Sequence, residues 1–322
     1  MKRPRILSGV QPSGKLHLGN YFGAIRQHIA LQSEGECFFF IADLHALTTI
    51  QDAKELRENS RAVALDYLAL GLDAEKTVFF RQSDVPEVTE LAWVLSTVTG
   101  MGLLERAHSY KDKLARGLAP SVGLFTYPIL MAADILIYKS NLVPVGQDQT
   151  QHIEMTRDMA GYFNQAYRTV FPLPEARLDE APLVPGVDGK KMSKSYGNTI
   201  EIFAEGKALS STVMRIVTDS TPVEAPKDPE KDNVFALYSL FASEEERSAL
   251  AARYRAGGTG YGEAKKMLVE KIDAHFRDAR AKRKELAADP GTVERVLGNG
   301  AERARRVASE TLREVREATG LR

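Results

Sequence analysis

Short, wholly apolar runs alternate through the first half of the chain with stretches whose apolar residues recur every three or four positions. Arg5–Val10 predicts a strand, and the unbroken run Cys37–Ala42 (CFFFIA) predicts one buried on both faces. Thr77–Gln82 (TVFFRQ) and Leu142–Val145 predict two more. Between them, Asn20–Ser33 predicts a helix with Ile25, Ile29 and Leu31 facing inward. Lys54–Leu70 predicts another, with Leu56, Val63, Leu65 and Leu68 as its apolar positions and Gly71 as its stop. Pro86–Val98 has proline in its first turn, Tyr127–Tyr138 (YPILMAADILIY) is almost wholly apolar, and His152–Phe163 follows the fourth strand. This β-α-β-α-β order predicts an α/β fold, a doubly wound parallel sheet. Beyond residue 205 the patterns are helical, with no convincing buried strand. They break at Pro222–Pro229, Gly257–Gly262 and Asp289-Pro290-Gly291, and a long helix is predicted over Glu263–Ala287. The expected division is therefore 1–205, α/β, and 206–322, all-helical.

Composition narrows this picture. The 322 residues suffice for two domains, and 43 Lys and Arg against 43 Asp and Glu leave no net charge to announce nucleic acid. Cys37 is the only cysteine, inside an apolar run, so a core role is expected and no intrachain disulfide or Cys-based metal site. No protein-held metal is expected at all. Lys2, Arg3 and Arg5 precede no long apolar segment, so no signal peptide is expected, nor any membrane span; the expected location is the cytoplasm.

Doubly wound sheets bind ligands beyond the carboxyl ends of their strands. Four polar stretches fall there: Leu7–Asn20, Asp43-Leu44-His45, Ser83-Asp84 and Gly146-Gln147-Asp148-Gln149. In the first, LSGVQPSGKLHLGN, Gly9 and Gly19 allow a ring or phosphate to approach the backbone, and His17 and Asn20 are donors suited to one phosphate. The alternative is an ordinary turn whose polar residues cap a helix. Lys190-Lys191-Met192-Ser193-Lys194-Ser195, flanked by Gly186, Gly189 and Gly197, reads as a mobile cationic loop for a polyphosphate, or as a solvated charge run. Asp134 is the one charge in its apolar helix, and a buried carboxylate needs a partner. That partner is either a Lys, Arg or backbone donor of the protein or a donor on a small substrate. Met131, one helical turn earlier, puts a thioether on the same face, a pairing suited to an aromatic ring with one N–H. Gln149 suits an amino acid's ammonium and Asp148 a ribose hydroxyl, unless Gln149 or Thr150 simply caps the helix.

PSGKLHLGN and KMSKS, in this order, resemble the paired motifs of class I aminoacyl-tRNA synthetases, with HLGN in the place of the first. With Met131-Ala132-Ala133-Asp134 and Val143-Pro144-Val145-Gly146-Gln147-Asp148-Gln149, the chain resembles the tryptophanyl-tRNA synthetase family over nearly its whole length. The resemblance implies a Rossmann-like nucleotide-binding fold in 1–205 and a tRNA anticodon-binding region in 206–322. It implies ATP contacts at Gln11, Pro12, Ser13, Gly19, Asn20, Gly146, Gln147, Asp148 and Leu183, and along Lys191, Met192, Ser193, Lys194 and Ser195. Asp134 matches the carboxylate that receives the indole N–H, Met131 the sulfur beside the ring, and Tyr127 and Gln149 contacts to the amino group; Gly9 and His45 are placed with tryptophan as well. His17, Asn20, Lys113, Lys191 and Lys194 match the groups that stabilise the transition state and the leaving pyrophosphate. Three positions depart from the family: His17 for a frequent Thr, Gln147 for a frequent Glu, and Leu44 for a frequent Gln. The implied activity is tryptophan activation by ATP with Mg²⁺, then transfer to tRNA(Trp), in a homodimer formed near Pro86–Gly102. The rival readings are a nucleotidyltransferase that never meets tRNA, with no reason for the helical third, and a non-catalytic binder, with no need of His17, Asn20 and Lys191. Basic residues late in the chain, Arg277 to Lys284 and Arg303 to Arg316, fit an RNA surface or a solvated face balanced by acids.

Overall fold

The structure, a computed structural model, describes residues 3–107, 110–111, 121–178 and 182–321. In chain order the elements are β1 (Arg5–Val10), α1 (Leu18–Asn20), a π-helical turn (Tyr21–Ile25), α2 (Arg26–Leu31), β2 (Glu36–Ile41), α3 (Asp43–Ala46), α4 (Ala53–Ala69), β3 (Val78–Arg81), α5 (Glu87–Val98) and α6 (Met101–Leu104). Then follow α7 (Val122–Ile137), β4 (Leu142–Val145), α8 (Thr150–Ala166), β5 (Glu175–Leu178), α9 (Gly206–Met214), α10 (Asn233–Ser239), α11 (Glu244–Ala256), α12 (Tyr261–Ala288) and α13 (Pro290–Thr319). Contacts group the chain into two compact units, Met1–Gly14 with His28–Glu180 and Leu286–Arg322, and Lys15–Gln27 with Ala181–Glu285.

The first unit holds the sheet. Its five strands run in the order β3-β2-β1-β4-β5, and every pairing is parallel, as the alternating pattern predicts. The order reverses between β1 and β4, the position at which doubly wound sheets open a ligand crevice. Cys37 to Ile41 are all buried, which explains their unbroken apolar run. Cys37 lies in this core, where burial and nearby Glu34 push its thiol up to about 11, so it is no ready nucleophile. Asp52 starts α4 by accepting from the backbone N–H groups of Lys54 and Glu55, each at 2.8 Å. Ser121 starts α7 in the same way at Leu124, 3.2 Å away.

The last helix belongs to this unit. Asp289 caps it, Pro290 fills its first position, and Gly320 closes it in the left-handed region. The breaker stretch Asp289-Pro290-Gly291 is thus the start signal of α13. Its stripe Ala301, Ala304, Ala308, Leu312 and Val315 is buried in the core around the sheet. Arg81–Glu294 at 2.5 Å, Arg305–Glu87 at 3.1 Å and Lys139–Glu314 at 2.7 Å surround it. Such pairs contribute about 0–1 kcal/mol each, so the buried stripe supplies the adhesion and the pairs set the register.

The second unit is built on α9 to α12. Lys265 donates to the carbonyls of Met214 at 3.0 Å and Ile216 at 2.6 Å, and so caps the end of α9. The π-turn is packed edge-on by aromatic rings, Tyr21 against Phe276 at 4.9 Å and Phe22 against Phe241 at 5.1 Å. The predicted breaks at Pro222–Pro229 and Gly257–Gly262 fall at the connections before α10 and α12. No helix among the described residues is long and apolar enough to cross a membrane.

Candidate active site

Asp134 sits on α7 with 2% of its surface exposed. Among the described residues its partners are neither a Lys or Arg nor a backbone donor. Gln82, at the carboxyl end of β3, donates its amide to both carboxylate oxygens at 2.9 Å each. His45, in α3 after β2, places Nε2 2.9 Å from Oδ2. The Gln82 amide is a donor that favours the ionised acid, while His45 Nε2 donates or accepts according to its tautomer. Burial raises the Asp134 carboxyl above the ordinary carboxylate range, and the bonds from His45 and Gln82 pull the other way. Gln82 was not legible as a site residue; its only sequence signal is a polar residue closing an apolar strand.

The surrounding turns are tied together. Asp43 accepts from the backbone N–H groups of Leu44 and Ser83 at 3.0 Å each, joining the ends of β2 and β3. Tyr127 and His152 share a hydrogen bond between the phenol and Nε2, and the Tyr127 ring also lies edge-on to His45 at 6.3 Å. His45, Gln82, Asp134, Tyr127 and His152 therefore form one polar cluster beyond the carboxyl ends of the strands. Met131 is half-buried and packs on the apolar core. Gly146 and Gln147 are exposed and Gln149 half-buried in the turn after β4, where the Thr150 hydroxyl donates to the Gln147 carbonyl at 3.0 Å. That bond runs back to the preceding turn and is not a cap: Gln149 occupies the N-cap position of α8 and no side chain caps the helix there. Only the backbone of Asp148 is described, and Lys113 lies outside the described residues. After β1, Gln11 and Ser13 are exposed and Pro12 buried. Gly9 has a tighter constraint than a ligand: a Cβ there would stand 2.5 Å from the Phe40 ring.

The second unit carries Lys15–Asn20 of the first motif stretch and the whole of KMSKS. His17 is buried, and its backbone N–H donates to Asn20 Oδ1 at 3.1 Å. Leu18 N–H bonds Ile200 O at 3.0 Å and Ile202 N–H bonds Leu16 O at 3.1 Å, which hold the first motif against the segment after KMSKS. Burial, assisted by the charge of Lys194, lowers the His17 imidazole to about 4. It is therefore neutral at pH 7 and offers one N–H. A Cβ at Gly19 would lie 3.0 Å from the His17 ring and 3.5 Å from Met192 Cβ, so the two motifs pack directly.

The lysine loop is ordered by a residue outside the motif. Buried Asn198 accepts from Ser193 N–H at 2.8 Å and donates to Asp188 at 2.7 Å and the Lys191 carbonyl at 3.2 Å. Met192 is buried, Lys191 and Ser195 are exposed, and the Ser193 and Ser195 hydroxyls lie 2.9 Å apart. Leu183 is exposed just before Val184, whose carbonyl accepts from Met192 N–H at 2.9 Å.

Residues 1–277 match the family described as tRNA synthetases class I (W and Y). The chain belongs to this family of class I synthetases. A tryptophan–tRNA ligase of Rhodopirellula baltica is 57% identical over 99% of this chain and 100% of its own length. That of Fusobacterium nucleatum is 53% identical over 98% of both. The crystal structure of Campylobacter jejuni tryptophanyl-tRNA synthetase complexed with ADP and tryptophan is 50% identical, covers 98% of this chain and 99% of that one, and superposes with a TM-score of 0.94. The family's Rossmann-like sheet is thus the one described above, and these tryptophan members align with the chain from end to end.

Proposed function

We propose that this class I synthetase activates L-tryptophan with ATP and transfers it to tRNA(Trp). Full-length identity to tryptophan–tRNA ligases supports the activity, and Asp134, a buried acceptor held between Gln82 and His45, carries the choice of amino acid. A tryptophan carboxylate oxygen attacks the α-phosphorus of magnesium ATP, the bond to the bridging oxygen breaks, and pyrophosphate leaves. A ribose hydroxyl at the tRNA 3′ end then attacks the activated carbonyl and AMP leaves. No side chain acts as nucleophile; positioning and charge stabilisation do the work.

In this reading Asp134 accepts the indole N–H, with Met131, His45 and Gly9 around the ring and Tyr127 and Gln149 on the amino group. A substrate without that N–H leaves a buried acceptor unmatched, which is how tyrosine and phenylalanine are rejected. Neutral His17 and Asn20 donate to the phosphates, and Lys113, Lys191 and Lys194 follow the pyrophosphate. Gln11, Pro12, Ser13, Gly19, the Gly146–Asp148 turn, Leu183, Met192, Ser193 and Ser195 hold the nucleotide. We assign residues 1–205 to this chemistry and 206–322 to the tRNA anticodon. Several late basic residues serve the fold: Arg280 bonds Asp273 at 2.9 Å, Lys284 bonds Glu205 at 2.7 Å, and Arg303 bonds the Ala74 carbonyl at 2.8 Å. The RNA surface is therefore smaller than the count of basic residues. Trp93 and Met101, 72% and 63% exposed on α5 and α6, support a homodimer through this face.

The test is pyrophosphate exchange into ATP with tryptophan, with tyrosine and with no amino acid, followed by tRNA charging. Exchange with tryptophan alone is expected. Exchange with tyrosine alone overturns the specificity, and exchange without charging favours a nucleotidyltransferase. Asp134→Ala should lose most of the preference for tryptophan.

A further inference from the structure

We propose that Gln82 is a positioning residue for tryptophan specificity: its amide holds the Asp134 carboxylate so that one acceptor site, on Oδ1, stays open to the substrate's ring N–H. The proposal rests on the reading that Asp134 receives that N–H. Gln82 is fully buried, and its two ends have different tasks. Its Oε1 accepts from the backbone N–H groups of Leu44 at 3.1 Å and His45 at 3.4 Å. Those bonds fix which end of the amide is which, because a flipped amide would set N–H against N–H. Nε2 is thereby committed to Asp134, 2.9 Å from each oxygen. A donor equidistant from both oxygens stabilises the charge they share, while His45, 2.9 Å from Oδ2 alone, sets the turn of the carboxylate about its last torsion.

A carboxylate offers roughly four acceptor sites. Among the described residues, Oδ2 has two partners, His45 Nε2 and the Gln82 amide, and Oδ1 has one, the Gln82 amide. Oδ1 alone retains capacity. Without the amide, the buried Asp134 carboxylate loses the donor that faces both of its oxygens and takes up a proton more readily, which spoils it as a fixed acceptor. Gln82 also anchors the start of α3, which carries His45, so one side chain sets both members of the pair. Gln82→Glu keeps the shape and the Oε1 acceptor, replaces the amide donor with an oxygen, and sets a second carboxyl against Asp134. Gln82→Met removes both polar ends at similar volume.

The experiment measures kcat and KM for pyrophosphate exchange with tryptophan and with β-(3-benzothienyl)alanine, an isostere in which sulfur replaces the ring N–H. The parent should prefer tryptophan strongly. Both Gln82 variants should reduce that preference about tenfold or more, chiefly through a raised KM for tryptophan. Thermal unfolding checks that each is folded; if Gln82→Glu is not, Gln82→Met carries the test. A folded variant that loses activity equally on both substrates, with the preference intact, overturns the proposal. Asp134→Ala separates the two layers. If it too leaves the preference intact, the reading of Asp134 fails. If it abolishes the preference while Gln82 variants keep it, only the role of Gln82 fails.

Discussion

A Cβ added at Gly300 would stand 1.8 Å from the carbonyl oxygen of Phe79, 2.6 Å from its carbon and 3.1 Å from its nitrogen. Gly300 lies in α13 and Phe79 in β3, so helix backbone meets strand backbone with no side chain between them. Two effects of Gly300→Ala oppose each other. Alanine is favoured over glycine inside a helix by about 1 kcal/mol. Overpacking a filled core typically costs about 1–3 kcal/mol, and more where nothing can yield. Here nothing can: Phe79 is paired with Phe39 of β2, and the buried stripe Ala301, Ala304 and Ala308 fixes the helix. Relief requires lifting α13 by more than 1 Å, on the order of the gap that already forfeits a quarter to a half of a dispersion contact. The clash wins, and the net loss should be about 2 kcal/mol or more, lowering Tm by roughly 4–8 °C. Gly298 is the control, since a Cβ there meets nothing within 4 Å. Gly298→Ala should be neutral or raise stability by up to ~1 kcal/mol. Calorimetry or circular dichroism melts of both variants check this. Gly300→Ala as stable as Gly298→Ala would refute the close backbone packing of α13 on β3.

Lys194→Ala should slow pyrophosphate exchange with little change in the KM for tryptophan. Because the Lys194 charge helps lower His17, the same variant should move the His17 titration, followed by NMR, upward from about 4. Asn198→Ala removes the ties to Ser193, Asp188 and Lys191, so kcat for activation should fall and amide exchange across 188–198 should quicken, while tryptophan KM holds. His28 is buried and lowered to about 4 by desolvation. Its unfolded form binds protons near 6.5, so stability present above 6.5 is lost as pH falls toward 4, by up to ~3 kcal/mol. Denaturant melts at pH 7 and pH 5 should show part of this loss, reduced in His28→Gln.

Periodicity and motif order were enough to determine the strands β1 to β4, the parallel winding and the helical last third. Each of those rests on local chemistry: buried strands read as unbroken apolar runs, and glycine-flanked turns read as punctuation. Tertiary structure decided the rest. β5 went unpredicted because an edge strand with Glu175 and Leu178 exposed carries no apolar run. The four-residue α3 and α6 are too short for a helical period to show. Asp134 was visible as an anomaly, but its partners come from residues 89 and 52 positions away, a distance no local pattern spans. Asn198 and Gln82 are ordinary polar residues in sequence and become determinants because folding brings unsatisfied groups to them. The last helix reads as one more amphipathic stretch, and only packing assigns it to the sheet, through its buried stripe and the close approach of Gly300 to Phe79. Local propensity specifies which elements form; which buried donor meets which acceptor depends on how those elements pack.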